Sequence, residues 1–122
     1  MFEGREAAID RLRHMLEATD AIGGYIDRGR DVFAADAAIR DAVVYQIVVL
    51  GEAAKAVVQA DPNVAESLKQ DGIEWSLLAR MRDRLTHQYW RTDAELVWAT
   101  ATQDIPTLRT ALIAAISRLT RP

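Results

Sequence analysis

Residues 80 to 90 of the chain, RMRDRLTHQYW, gather side chains that could act on a phosphodiester. Arginine offers a planar fork of N–H donors that fits phosphate oxygens, and histidine can exchange a proton near neutral pH. Together they supply charge stabilisation and proton transfer, which cleavage of a phosphodiester requires. RNA suits this pair particularly well, since its own 2′-hydroxyl can serve as the nucleophile. A charged helix surface whose histidine and tyrosine are partly packed would contain the same residues, so the segment alone leaves both interpretations open.

The spacing within this segment limits how one helix can use it. Asp83 and His87 are four residues apart, so they lie one turn above each other and the carboxylate can orient the imidazole. Arg82 is five residues before His87 and therefore lies about 140° around the helix from it. Arg82 and His87 converge more readily if the helix frays at residues 87–89, or if two copies of the segment face each other. We therefore predict a two-fold homodimer that builds a cationic cleft.

The elements that must position these residues are predicted to be helices. Apolar residues recur at helical spacing, and glycine and proline are scarce inside the long segments. The pattern predicts an all-α protein, an up-and-down bundle of four to five helices. The predicted helices cover residues 3–26, 36–59, 75–89 and 93 onward, with a short helical turn at 64–69, a capping box at Thr92 and Glu95, and a second helix start or break at Pro106.

The predicted second helix carries more apolar surface than a bundle of this size readily covers. Val44, Val48 and Val49 lie beside its main apolar stripe. An exposed apolar surface of this kind is typical of an interface, so this helix is the predicted dimer face.

Length and composition exclude several classes of protein. The chain has 122 residues, which predicts a single domain over 1–122. It has no cysteine, which excludes disulfides and thiolate metal sites and fits a reducing cytoplasm. Charges throughout the first residues and the lack of a long apolar run argue against a signal peptide or a membrane span. A net charge of -3 argues against broad, charge-driven nucleic-acid binding, so any contact with RNA must be local.

Residues 82–89, RDRLTHQY, resemble the Arg-x4-His-x-Tyr signature of HepT-type toxins in the HEPN superfamily. The segment VLGEAA at 49–54 is similar to the Gly-Glu-Ala element of that family, and Trp75, residues 93–98 and residues 104–108 also resemble it. The likeness covers nearly the whole chain.

The resemblance implies a metal-independent endoribonuclease toxin that is an α-helical homodimer and needs no cofactor. The predicted catalytic residues are Arg82, His87 and Asp83, the last in a position where the family often has asparagine. Arg80 and Arg84, which lie around them in the segment, are predicted to contact RNA phosphates. The resemblance also implies a nucleotidyltransferase antitoxin, MntA, which silences the toxin by transferring AMP to the motif tyrosine, here Tyr89.

A second function stays open: a non-catalytic helical module that binds and positions such a nucleotidyltransferase, with the arginines serving that interface. Structural roles account for several other residues. Gly51 would permit close helix approach, and Glu52 would pair with Lys55 three residues on. His14 is expected on the surface, and the three tryptophans at 75, 90 and 98 are expected in the core or an interface.

Overall fold

The computed structural model of the chain describes the backbone of residues 2–88 and 93–122, and the side chains in those ranges except at 2, 3, 77 and 88. These residues form seven α-helices and no strand, which confirms the all-α prediction. The helices are α1 (Phe2–Ile26), α2 (Arg30–Ala35), α3 (Ala37–Ala60), α4 (Pro62–Ser67), α5 (Trp75–Gln88), α6 (Ala94–Ala99) and α7 (Ile105–Thr120). A 3-10 turn, Leu68–Asp71, follows α4, and a π-helical turn, Thr100–Asp104, joins α6 to α7.

The four long helices build the core. Helix α1 packs against α3 on one side and α7 on another, and α3 also packs against α5. The largest fully buried side chains of α1 are Leu12, Met15 and Ile22, with Thr19 buried beside them. Ile9 and Leu16 are only half-buried, because Met15 and Thr19 take the centre of the packed face.

Side-chain caps fix the starts of three helices. The Asp36 carboxylate accepts from the Ala38 N–H at 2.9 Å, which starts α3 within one residue of the predicted position. Asp61 accepts from two N–H groups at the start of α4, and Asp93 accepts from the Glu95 N–H at 2.8 Å at the start of α6. We predicted Thr92 as the N-cap of α6. Thr92 lies outside the described residues, and Asp93 performs the capping.

One connection differs from the sequence prediction. Helix α2 was not anticipated; it follows Gly29, whose φ of 99° suits glycine, and it buries Phe33 against Trp98 with ring centroids 5.1 Å apart.

The helix start predicted near Pro106 is confirmed. Helix α7 begins at Ile105, and the proline occupies its first turn, where its missing N–H costs little. The alternative of a break is wrong, because the π-helical turn keeps the chain helical from α6 to α7.

The connection before α5 follows the prediction. Gly72 has a φ of 90° and ends the 3-10 turn, so the chain reverses between Asp71 and Trp75. The indole of Trp75 then donates to the Ala65 carbonyl at 2.7 Å, which ties the start of α5 to α4. No helix of the described ranges is long and apolar enough to cross a membrane.

The predicted surplus of apolar surface on α3 is partly covered. Val44 is buried, and Val48 and Val49 are half-buried against the core. Tyr45 is 64% exposed and Val58 38% exposed on the same helix. The homodimer stays a prediction, and Tyr45 is the most exposed large side chain on its predicted face.

Candidate active site

Helix α5 presents different residues of the motif to different surroundings. Leu78 and Leu85 are buried, whereas Arg84 and His87 are exposed. Arg82 lies between these extremes, with 22% of its side chain exposed. Because Arg82 is about 140° around the helix from His87, it faces α3 while the histidine faces solvent.

Gly51 is the reason that Arg82 can lie against α3. A Cβ at position 51 would lie 2.3 Å from the Cβ of Arg82 and 2.7 Å from its Cγ. It would also lie 3.4 Å from the Leu78 carbonyl oxygen. The aliphatic stem of Arg82 therefore occupies the space that any larger residue at 51 would need, and the predicted role of Gly51 in close helix approach is confirmed.

Carboxylates from both helices hold the guanidinium of Arg82. Its Nη1 donates to Asp83 Oδ1 at 2.8 Å, and its Nη2 forms an ion pair with Glu52 Oε1. Lys55 donates to the same Asp83 oxygen at 3.3 Å. We refer to Glu52, Lys55, Arg82 and Asp83 as the Arg82 network. Its four formal charges cancel, so this part of the site is locally neutral.

The network shifts the titration of two of its members. The hydrogen bond from Arg82, followed by that from Lys55, holds the pKa of Asp83 below its ordinary value of 3.8. The bond to Asp83 likewise raises the pKa of Arg82 above its usual range, against a smaller opposing effect of desolvation. Asp83 is therefore an anion at neutral pH and cannot serve as a proton donor.

Asp83 and His87 are not joined by a hydrogen bond in this structure. Both side chains are described, and the Asp83 carboxylate is directed to Arg82 and Lys55. His87 is exposed near the end of α5. The orienting role of Asp83 toward His87 stays a prediction, and Tyr89 lies outside the described residues.

Arg80 and Arg84 belong to a separate surface. They line a cleft of about 510 Å³ between α5, α6 and α7, whose walls are mostly apolar. The apolar lining includes Leu78, Met81, Leu85, Val97, Ile105 and Leu108. Arg82 does not line it, so within the described residues the motif arginines divide between this cleft and the α3 side of the helix. Contact of Arg80 and Arg84 with RNA phosphates stays a prediction.

The sequence interpretation missed the partner of Glu52. We predicted that it pairs with Lys55 one turn away, but Glu52 contacts Arg82, and Lys55 contacts Asp83. The available signal was the position of Glu52 directly after Gly51, because the helix that packs on a glycine lies within reach of the next side chain. Around the described side chains, no group of three or more His, Asp or Glu residues is arranged to hold a metal ion.

The sequence of this site matches a known family. The family model described as "Ribonuclease HepT-like" matches residues 15–115, which include both Gly51 and the segment from Arg82 to His87. The chain belongs to the HepT-like ribonuclease family. The predicted family is thereby confirmed, and with it the HEPN-like character of the helical fold.

Named relatives agree with this assignment. The chain is 36% identical over 77 residues to "Probable ribonuclease HepT" of Thermococcus cleftensis, covering 63% of this chain and 66% of the relative. It is 31% identical over 111 residues to a "Gamma-glutamylcyclotransferase and putative RNase" of Methanocaldococcus jannaschii, covering 88% of this chain and 47% of that protein. A "Putative RNase" of the same archaeon is 36% identical over 90 residues, covering 74% of this chain and 73% of the relative.

The match spans less than two thirds of the length of the Thermococcus protein and about half of that of the first Methanocaldococcus protein. No solved structure matches the chain.

Proposed function

We propose that the protein is a metal-independent endoribonuclease, the toxin of a toxin–antitoxin pair. The observation that carries this proposal is the HepT-like ribonuclease match across residues 15–115, which contains the Arg-x4-His segment. The geometry of α5 supports it, because Arg82 is fixed by contacts while His87 is exposed. The proposed site of action is the cytoplasm, where RNA substrates are present.

In the proposed reaction, His87 and Arg82 divide the chemistry. His87 exchanges the protons: one is removed from the 2′-hydroxyl as its oxygen attacks phosphorus, and one is given to the departing 5′-oxygen. Arg82 stabilises the charge that develops on the phosphate oxygens. The bond from phosphorus to the 5′-oxygen breaks, which leaves a 2′,3′-cyclic phosphate and a 5′-hydroxyl. Asp83 assists by orienting His87, and Arg80 and Arg84 contact phosphates along the strand.

The proposed active form is a homodimer. Within one chain, Arg82 and His87 lie on different sides of α5, so a second α5 facing the first would bring an arginine and a histidine together. The exposed Tyr45 on α3 supports an interface on that helix.

The proposed regulation is AMP transfer to Tyr89 by an MntA-like nucleotidyltransferase antitoxin. The family resemblance is its main support. An attached AMP would add bulk and negative charge two residues beyond His87, where its phosphate would compete with RNA for the arginines. Co-expression with the nucleotidyltransferase should add roughly 329 Da per AMP to the intact mass. The Tyr89→Phe variant should remain unmodified and active.

One observation favours the alternative, a non-catalytic module that positions the nucleotidyltransferase. Arg82 is already neutralised by Glu52 and Asp83, so its charge is less available to a phosphate. A partner protein with carboxylates of its own would then contact Arg80 and Arg84.

Cleavage of RNA in the presence of a chelator separates the two functions. Purified protein is incubated with total RNA and EDTA, and the new ends are mapped. The endoribonuclease leaves cyclic phosphate ends, and His87→Ala abolishes them without changing helicity. Intact RNA under these conditions, together with tight binding of the nucleotidyltransferase, would establish the alternative.

A further inference from the structure

Glu52 lies outside the Arg-x4-His segment, yet it makes the contact that reaches Arg82 from another helix. The ion pair joins Glu52 Oε1 on α3 to Arg82 Nη2 on α5. Asp83, in contrast, is the residue next to Arg82 in the chain, and it accepts from Nη1 at 2.8 Å. Among the described residues, Glu52 is the direct contact between the guanidinium and α3, whereas Asp83 is tied to that helix only through Lys55.

The stem of the arginine is fixed by the same part of α3. Gly51, the residue before Glu52, has no Cβ. The Cβ and Cγ of Arg82 occupy the space that a Cβ at position 51 would need. The pair Gly51-Glu52 thus holds Arg82 at both ends, the stem by contact and the guanidinium by charge. An exposed arginine would otherwise lose rotamer entropy when it is ordered by a substrate.

The guanidinium of Arg82 keeps unused N–H donors while Glu52 and Asp83 hold it. A guanidinium has five N–H donors, two on each Nη and one on Nε. The contacts to Asp83 and Glu52 leave a second hydrogen on each Nη, whereas Nε is buried and has no partner among the described residues. Each Nη therefore keeps one N–H that neither contact uses.

We propose that Glu52 is a positioning residue that holds Arg82 in the geometry it uses in phosphodiester cleavage. This inference rests on the proposed endoribonuclease function. Because a positioned donor lowers the barrier without adding affinity for the ground state, loss of Glu52 lowers kcat and leaves KM unchanged or smaller.

The test compares three variants in steady-state RNA cleavage. Glu52→Ala should lower kcat by about 10-fold to 100-fold with no rise in KM, the range expected when a catalytic group is misplaced by about 1 Å. Glu52→Gln keeps an oxygen acceptor for Nη2 and should retain most of the rate. Glu66→Ala is the matched control, since Glu66 is an exposed carboxylate paired with Lys69 on the surface and should have no effect.

A second measurement does not depend on cleavage. The Nη signals of Arg82 in ¹⁵N NMR, assigned with Arg82→Lys, should be resolved in the parent because rotation of the held guanidinium is slow. They should average in Glu52→Ala and stay resolved in Glu52→Gln and Glu66→Ala. If the parent does not cleave RNA, the proposed function fails, and this comparison alone decides whether Glu52 positions Arg82.

Three results would overturn the inference. A faster Glu52→Ala enzyme would make Glu52 an inhibitory residue. A Glu52→Gln enzyme as slow as Glu52→Ala would show that an oxygen acceptor for Nη2 does not sustain the rate, so Glu52 would not act by positioning Arg82. Unchanged Arg82 signals in Glu52→Ala would show that other contacts hold the guanidinium.

Discussion

Replacing Gly51 by alanine tests the close approach of α3 and α5 directly. The added Cβ would lie 2.3 Å from the Cβ of Arg82, about 1.2 Å closer than the separation of about 3.5 Å at which two carbons attract best. A change of rotamer cannot relieve this contact, because the position of a Cβ is fixed by the backbone. One of the two helices must therefore move.

The expected cost follows from two opposing effects. Overpacking of this kind costs about 1–3 kcal/mol, and the contact with a fixed Cβ places Gly51→Ala near the upper end of that range. Alanine recovers up to about 1 kcal/mol through its higher helix propensity. We expect a net loss of about 2 kcal/mol in the free energy of unfolding, which for a chain of this length lowers Tm by about 8 °C.

Thermal unfolding followed by circular dichroism measures the effect, with urea unfolding as an independent check. Gly24→Ala is the matched control, because Gly24 also lies inside a long helix but no atom lies within 4 Å of its added Cβ. This control should be as stable as the parent or slightly more stable. The double variant Gly51→Ala/Arg82→Gly removes the stem that causes the clash and should be less destabilised than the two single changes predict.

The result that would refute this reasoning is a Gly51→Ala protein with the parent's Tm and urea midpoint. Additive effects in the double variant would also count against it, since they would mean that position 51 and the stem of Arg82 do not meet. If the reasoning holds, Gly51→Ala should also cleave RNA more slowly at temperatures where it remains folded, because Arg82 is displaced from Glu52.

Three further outcomes are expected. Arg82→Ala should lower the rate of RNA cleavage by about 100-fold or more, whereas Arg80→Ala should mainly raise KM. Steady-state kinetics of both variants tests this, and a larger loss of kcat in Arg80→Ala would contradict the choice of Arg82 as the catalytic arginine. Asp83→Asn should lower Tm at pH 7. The pKa of Asp83 is depressed in the folded protein, so its contribution to stability is present above the ordinary pKa of 3.8 and is lost as pH falls through the lower folded value. Plots of Tm against pH for parent and variant should therefore converge in strong acid. A Tm difference that stays constant with pH would contradict this. Sedimentation at micromolar concentration should show a dimer, and a monomer would remove the proposed two-chain site.

The long helices could be predicted from the sequence because their signals are local. Asp36 and Gly72 act on the backbone of their immediate neighbours, so α3 starts and the turn before α5 ends close to where the pattern places them. Helix α2 has six residues, too few for a periodic stripe, and its Phe33 packs against Trp98, which is far away in the sequence.

The candidate site could be predicted only in part for the same reason. The segment from Arg82 to His87 is contiguous, and its likeness to a family signature was visible in the sequence. The partner of Glu52 was not, because both Lys55 and Arg82 satisfy its charge and only the packing of α5 on Gly51 selects the arginine. Contacts between helices decide this choice, and they are absent from any pattern along a single helix.

The π-helical turn at Thr100–Asp104 sets the rotational phase of the last helix. Val97, Ala101 and Ile105 are all buried and are spaced four residues apart. In a regular α-helix each interval of four residues moves the side chain about 40° around the axis, whereas the wider π-helical turn keeps the three side chains on one side. Such a turn amounts to one extra residue inserted in a helix. A relative that lacks that residue would rotate everything beyond it by about 100°, and would need a different apolar pattern in α7 to keep the same contacts with α1. The number of residues in this short segment therefore determines which side of α7 faces α1.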